Sequence, residues 1–316
     1  RDDMTTAAAN PGSLVLKRLR KALFRDKYLL LMFLPICVYY IVFHYMPMPG
    51  AIIALKDFKP GGGIYNGSWV GLKWFREFFA SPFASRVIGN TVLLSLYSIV
   101  FGFPIPILFA ICVTEVRRSS LRRVVQTVSY LPHFISTVVL VGMLHNMLNT
   151  NTGIINNLIA LFGGKRITFL MAPEWFRTIY VSSGVWQSFG YSSIIYIAAI
   201  FGIDPTLYEA ANIDGMSKFK QSWYITIPMI SQTIIILFIM RLGNIMSVGF
   251  EKVFLLYNPS IYKTADVIST YVYRKGIESS NYSYASAVGL FNSLINFTFI
   301  IVANTICRKL TETSLW

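Results

Sequence analysis

The chain has 316 residues, 54% of them hydrophobic and 13% charged, with a formal net charge of +14. A soluble globular chain carries about 25% charged residues, so an ordinary soluble domain is excluded. The cations stand in short stretches between long uncharged runs, which marks a membrane topology and argues against a nucleic-acid surface.

The segment before residue 28 is polar and basic, with Lys17, Arg18, Arg20, Lys21, Arg25 and Lys27. Leu16, Leu19 and Leu23 fall at helical spacing among these cations. Leu14–Phe24 reads equally well as an interfacial helix on the inner leaflet or as a solvated basic tail. Six apolar runs follow, near 28–46, 88–114, 128–148, 178–201, 225–248 and 286–307. A helix needs about 20 such residues to cross a hydrocarbon layer about 30 Å thick. None of the six holds an aspartate or glutamate, and Arg241 is their one formally charged residue. Pro35, Pro104, Pro106, Pro132 and Pro228 lie inside them as kinks of the kind that membrane helices tolerate. The domain reading is a basic segment 1–27, a six-span domain 28–307 and a tail 308–316.

Arg117, Arg118, Arg122 and Arg123 crowd the loop between the second and third runs. With the basic first segment, they set these loops, and hence both termini, on the cytoplasmic side. The bias is weaker elsewhere, because the loops at 47–87, 149–177 and 249–285 also hold cations. Within the last of these, Tyr271, Tyr273, Arg274 and Lys275 suit an extracytoplasmic protein partner or a headgroup-level anchor.

No phosphate-binding G-x-x-x-x-G-K-[ST] loop occurs, so the chain is not expected to hydrolyse ATP. His44, His133 and His145 have no zinc spacing, and Glu251, Asp266 and His133 assemble no catalytic pattern. Neither a catalytic residue nor a metal site is expected. Cys37, Cys112 and Cys307 read as packed, inert thiols. A proton-coupled carrier usually needs an intramembrane acid, which is lacking here.

Between the fourth and fifth runs, the loop 202–224 carries a specific pattern. Asp204 is placed as an N-cap, with Pro205 in the first turn of a short helix over 205–212. Gly215 permits a backbone turn, and a second helix starts near Ser217. Ala210 and Ala211 offer a small-residue face for close approach of another protein, with Glu209 as one charge beside it.

This Glu209-Ala210-Ala211, Asp214-Gly215 and Ile225-Thr226-Ile227-Pro228 pattern resembles the coupling loop of membrane subunits in binding-protein-dependent ABC importers. Ile227 stands where leucine is common. Trp69-Val70-Gly71-Leu72-Lys73-Trp74-Phe75 and Asn90-Thr91 are similar to carbohydrate permeases. Tyr130–Ser136, Gly249–Asn258 and Thr264–Ile268 are similar to the oligosaccharide and polysaccharide branch. The resemblance implies an all-α type I importer permease with a cytoplasmic coupling helix between its fourth and fifth spans, in a bacterial inner membrane. It implies a second permease subunit, two ATP-binding cassette subunits that hold ATP and magnesium, and an extracytoplasmic solute-binding protein. The solute would be an oligosaccharide or polysaccharide, acidic ones such as alginate included.

Polar residues within the runs are candidates for the solute path. Ser183, Gln187 and Tyr191 form one helical stripe, Arg241 and Asn244 another, and Asn292 and Asn296 a third. Trp186 and Tyr196 add aromatic faces suited to sugar rings. Helix–helix glue is the competing role for each. Arg241 suits a water-filled path, an anionic solute, a partner carboxylate or a snorkelling cation. A stand-alone secondary sugar carrier is the alternative function, and a membrane-embedded transferase a third.

Overall fold

The computed structural model describes residues 25–63 and 66–311. The candidate interfacial helix Leu14–Phe24 and the tail beyond residue 311 lie outside the described residues. Those described are helical or looped, apart from one isolated antiparallel bridge between Lys56 and Trp69.

The first span opens with α1, Lys27–Tyr40, and runs on through a π turn, Ile41–Tyr45, and tight turns to Leu55. None of α1 is buried by the rest of the chain, so its apolar surface is left for lipid or another subunit. The loop after it holds α2, Lys73–Ala80, whose Trp74 and Phe78 turn inward. The second span is α3, Ala84–Gly102, continued after Phe103 by α4, Pro104–Thr114. Proline at the first position of α4 costs no helical hydrogen bond there.

The third span is broken. Helix α5, Ser119–Tyr130, passes through a tight turn at Leu131–Phe134 and meets α6, Thr137–Met147, at 96°. Pro132 withholds a backbone donor at the break, and the Ser136 hydroxyl accepts from the Val139 amide to restart the helix. A loop helix α7, Ile154–Leu161, leads to the fourth span, α8, Pro173–Phe201. Its 29 residues rise about 1.5 Å each, enough to traverse the hydrocarbon core and reach past it.

Helix α9, Pro205–Ile213, leaves α8 at 73°. The fifth span begins with α10, Lys218–Gln221, winds through a π turn at Ser222–Thr226 to Met229, then bends by 65° into α11, Ser231–Leu242. This helix stops at Leu242, short of the expected Val248. After it come α12, Phe250–Leu256, and α13, Ile268–Tyr273, and the sixth span is α14, Tyr282–Thr311. Counting each bent pair as one crossing gives up to six spans among the described residues, the number the apolar runs predict.

Helix α8 is the central element. It packs along α4 through Ala110, Val113, Tyr196 and Ile197. It also crosses α5 so closely that a Cβ on Gly190 would collide with the Ser129 carbonyl. A second core joins Trp74 and Phe78 of α2 to Tyr271 of α13 and to Tyr284 and Val288 of α14. Tyr271 is therefore internal, with its hydroxyl 2.9 Å from that of Tyr284, and does not face a partner or headgroups. Cys112 is exposed, so it is not the packed thiol expected from its apolar run.

Candidate functional site: the loop 202–224 and an interhelical cavity

The loop 202–224 folds as its residue types require. The Asp204 carboxylate accepts from the Thr206 amide at 2.9 Å, and that bond holds its pKa below the ordinary carboxylate value. At the other end, the Met216 amide donates to Ala211 O at 2.9 Å and the Gly215 amide to Asn212 O at 3.1 Å. This pair of bonds is a Schellman closure, with the residue at Gly215 left-handed, φ +69°. A Cβ at Gly215 would meet nothing within 4 Å, so backbone conformation and not space demands glycine.

Two polar contacts fasten α9 to the fifth span. Gln221, fully buried, donates to Asn212 Oδ1 at 2.8 Å and to Met216 O at 2.9 Å. The Tyr208 and Thr226 hydroxyls lie 2.9 Å apart. The predicted small-residue face divides: Ala211 turns into the chain while Ala210 stays outward, because adjacent helical residues point about 100° apart. Asp214 and Glu209 are exposed, and so is Ile213, four residues after Glu209 on the same face. Ile213, 86% exposed, is an outward apolar residue that the motif alone did not single out.

A cavity of about 600 Å³ opens between α3–α4, α8, α11 and α12. Gln187, Tyr191, Tyr196 and Arg241 from the predicted path all line it. Gln187 Nε2 donates to Ile135 O at 2.8 Å, which satisfies a carbonyl near the break in the third span. Tyr191 stacks on His133 at 3.9 Å with the rings 3° apart. Asn244 lines a smaller adjoining cavity of about 190 Å³, again with Arg241.

The other predicted path residues lie elsewhere. Ser183 is buried and returns its hydroxyl to the Ile179 and Tyr180 carbonyls of its own helix. Trp186 projects from a different face of α8 into an apolar groove of about 750 Å³. Asn296 accepts from the Met246 amide and donates to Ser247, each at 2.8 Å, as glue between the fifth and sixth spans. Asn292 borders a third hollow against α13. Arg241 and Asn244 thus stay together, whereas the stripes of the fourth and sixth spans divide among different neighbours.

Lys252 is the residue that sequence reasoning missed. It sits on α12, outside the spans, yet it is 9% exposed and lines the same cavity as Arg241. Its ammonium donates to Tyr180 O at 2.9 Å and lies 4.8 Å from the Tyr180 ring centroid. Gly184 makes room, since a Cβ there would stand 3.3 Å from Nζ. Burial pushes the ammonium down to about 8. The available signal was a lysine next to Glu251 in the otherwise apolar segment Phe250–Leu256.

At the end of α8 opposite α9 lies a buried ionic junction. Asp266, wholly buried, takes Arg274 at 2.7 Å, Arg86 at 3.4 Å and the Thr270 hydroxyl at 3.0 Å. Asn90 donates to Asp266 O and Lys263 O, both at 3.0 Å, and accepts from Arg177 at 3.0 Å. The Ile268 amide donates to Thr91 Oγ1 at 2.9 Å. Asn90-Thr91 and Thr264–Ile268, two separate points of family resemblance, thus meet here. Arg274, expected to face outward, serves this junction instead. Among the described residues, no group of three metal-binding side chains converges.

Comparison with known proteins agrees with this architecture. The profile of the binding-protein-dependent transport system inner membrane component matches residues 102–312. The polygalacturonan/rhamnogalacturonan transport system permease protein YteP of Bacillus subtilis (strain 168) is 41% identical over 300 residues, covering 95% of this chain and 94% of its own. Protein LplB of the same organism is 39% identical over 295 residues, 93% of each chain. A chain from the crystal structure of a bacterial alginate ABC transporter, in complex with an alginate pentasaccharide-bound periplasmic protein, superposes with a TM-score of 0.87. It has 42% identity and covers 94% of this chain and 100% of that one. The profile match spans more than half of the chain, and with it the bent six-span fold assigns a family: the chain belongs to the inner membrane permease components of binding-protein-dependent ABC transport systems.

Proposed function

We propose that this chain is one permease subunit of an ATP-driven importer for an acidic oligosaccharide or polysaccharide fragment. The observation that carries the reading is the α9 loop. It leaves the bundle at a right-handed, well-capped helix, is clipped to the fifth span by Gln221, and presents Glu209, Ala210 and Ile213 outward. Such a rigid lever suits docking into a separate ATPase subunit. Glu209 would pair there with a cation and Ile213 would bury its side chain.

ATP and magnesium then belong to two cassette subunits, and a second permease completes the path. A loaded extracytoplasmic binding protein delivers the solute to the end marked by the Asp266 junction. Closure of the ATPase pair moves α9 and the fifth span together as one body and switches access. ATP and the loaded binding protein must each favour one state for the switch to be driven. In this topology α9, both termini and the basic loop at 115–118 face the cytoplasm of a bacterial inner membrane. The sugar class is supported by the relatives, which are named for polygalacturonan or rhamnogalacturonan and for alginate.

The test is extraction of the tagged chain, expressed from its native operon, in mild detergent. An ATPase subunit should co-purify, and Glu209→Ala with Gly215→Val should release it. A chain that emerges alone, or keeps the ATPase despite both changes, would contradict the docking assignment.

A further inference from the structure

Lys252 is a buried cation with no ion pair among the described residues. Its one hydrogen bond among the described residues goes to the neutral Tyr180 carbonyl, although an ammonium has three donors. No carboxylate lies within ion-pair distance of it among the described residues. Burying a charge in this way is costly unless something pairs with it. The fold nevertheless shapes a place for it, with Gly184 kept bare beneath Nζ and the Tyr180 ring beside it. Arg241, the one cation inside the six apolar runs, lines the same cavity and makes no ion pair among the described residues. A hollow of about 600 Å³ has the size of a small-ligand site, and Tyr191 and Gln187 give it an aromatic face and an amide.

We propose that Lys252 and Arg241 together read the carboxylate of a uronate residue as it passes through this cavity. The pair makes this subunit selective for charge as well as for sugar shape. The proposal rests on the permease reading above and adds the groups that enforce the acidic substrate class. Lys252, as the more desolvated cation, supplies the stronger discrimination, because a charge-assisted hydrogen bond gains strength away from water. The hydrogen bond to Tyr180 O holds the Lys252 ammonium against α8, so it is positioned before the solute arrives.

The experiment uses the complete importer in nanodiscs without its binding protein, titrated with trigalacturonate and, separately, with its methyl ester. Wild type should bind the acid about tenfold more tightly than the ester, the discrimination expected of one charge-assisted contact. Lys252→Met and Arg241→Met should each bring the acid down to the ester's affinity and leave the ester unchanged, while Lys252→Arg keeps most of the preference. Equal binding of acid and ester by wild type, or no saturable binding, overturns the proposal. So does an equal loss for both ligands in the variants, which would mark a structural role. Disassembly of the permease pair by both Lys252→Met and Lys252→Arg would assign the lysine to a partner carboxylate and also overturn it. ATP-driven uptake with the loaded binding protein is measured in parallel. Wild type that carries no saccharide sinks the permease reading, whereas uptake without charge preference sinks the carboxylate pair alone.

Discussion

Gln221 Nε2 donates to Asn212 Oδ1 at 2.8 Å, and this bond joins the fifth span to the helix that leaves the fourth. Both residues flank the turn at Gly215, so the contact closes a small loop with its own polar core. Lys218 Nζ donates to Gln221 Oε1 at 2.9 Å, so both ends of the side-chain amide are bonded. The Lys218–Glu115 ion pair nearby, 3.7 Å and half in solvent, adds little by comparison.

Replacing Gln221 by leucine should therefore loosen the lever without touching its outward face. The Asn212 amide oxygen and the Met216 carbonyl each lose a donor; both are open enough for water to reach, so each net hydrogen bond lost should cost about 0.5–1.5 kcal/mol. The expected result is an importer that assembles and hydrolyses ATP but moves less solute per ATP. Parallel assays of hydrolysis and uptake in proteoliposomes check it; an unchanged ratio would contradict the lever.

Gly215 is required for its positive φ, not for space. A left-handed conformation costs an ordinary residue about 1–2 kcal/mol, and asparagine less. Gly215→Asn should retain ATPase co-purification and Gly215→Val should lose most of it. Quantitative pull-down of the pair of variants distinguishes this from a steric role, which would penalise both.

Gly190 is the opposite case, a glycine required for space. A side chain there meets the Ser129 backbone carbonyl as α8 crosses α5. Gly190→Val should destabilise the protein by about 1–3 kcal/mol through overpacking, read as a lower melting temperature in detergent. Ser129→Gly should fail to rescue it, since the clash is with backbone.

Asp266, itself wholly buried, balances two guanidinium groups that each keep part of their surface in solvent. Asp266→Ala takes the shared carboxylate from both cations and leaves the Thr270 hydroxyl short of an acceptor; because water still reaches the guanidinium groups, the loss should be about 1–3 kcal/mol. Asp266→Asn keeps an acceptor for Thr270 but not the charge, so its melting temperature should fall between wild type and alanine. Thermal unfolding of the three proteins in one detergent is the measurement.

The spans and the α9 loop were legible because their signals are local. Long uncharged runs identify the crossings, and Asp204, Pro205 and Gly215 mark the ends of a helix within a dozen residues. Pro132 and Pro228 flagged kinks, but their angles depend on what packs around them, such as Gln187 against Ile135. The junction of Asn90 with Asp266 joins residues 176 positions apart, and no periodicity carries that information. The placement of the path candidates was hidden for the same reason, since Ser183, Trp186 and Gln187 share one helix yet face its own carbonyls, an apolar groove and the cavity. Lys252 was hidden because a lysine in a loop segment reads as solvated until the fold closes over it.

The most direct measurement is uptake of an oligogalacturonide into proteoliposomes holding this chain, its companion permease and the ATPase subunits. The account predicts uptake that requires both internal ATP and the loaded binding protein and that survives collapse of ion gradients by ionophores. Uptake by this chain without ATPase subunits, driven by an ion gradient, would contradict it and restore the secondary carrier.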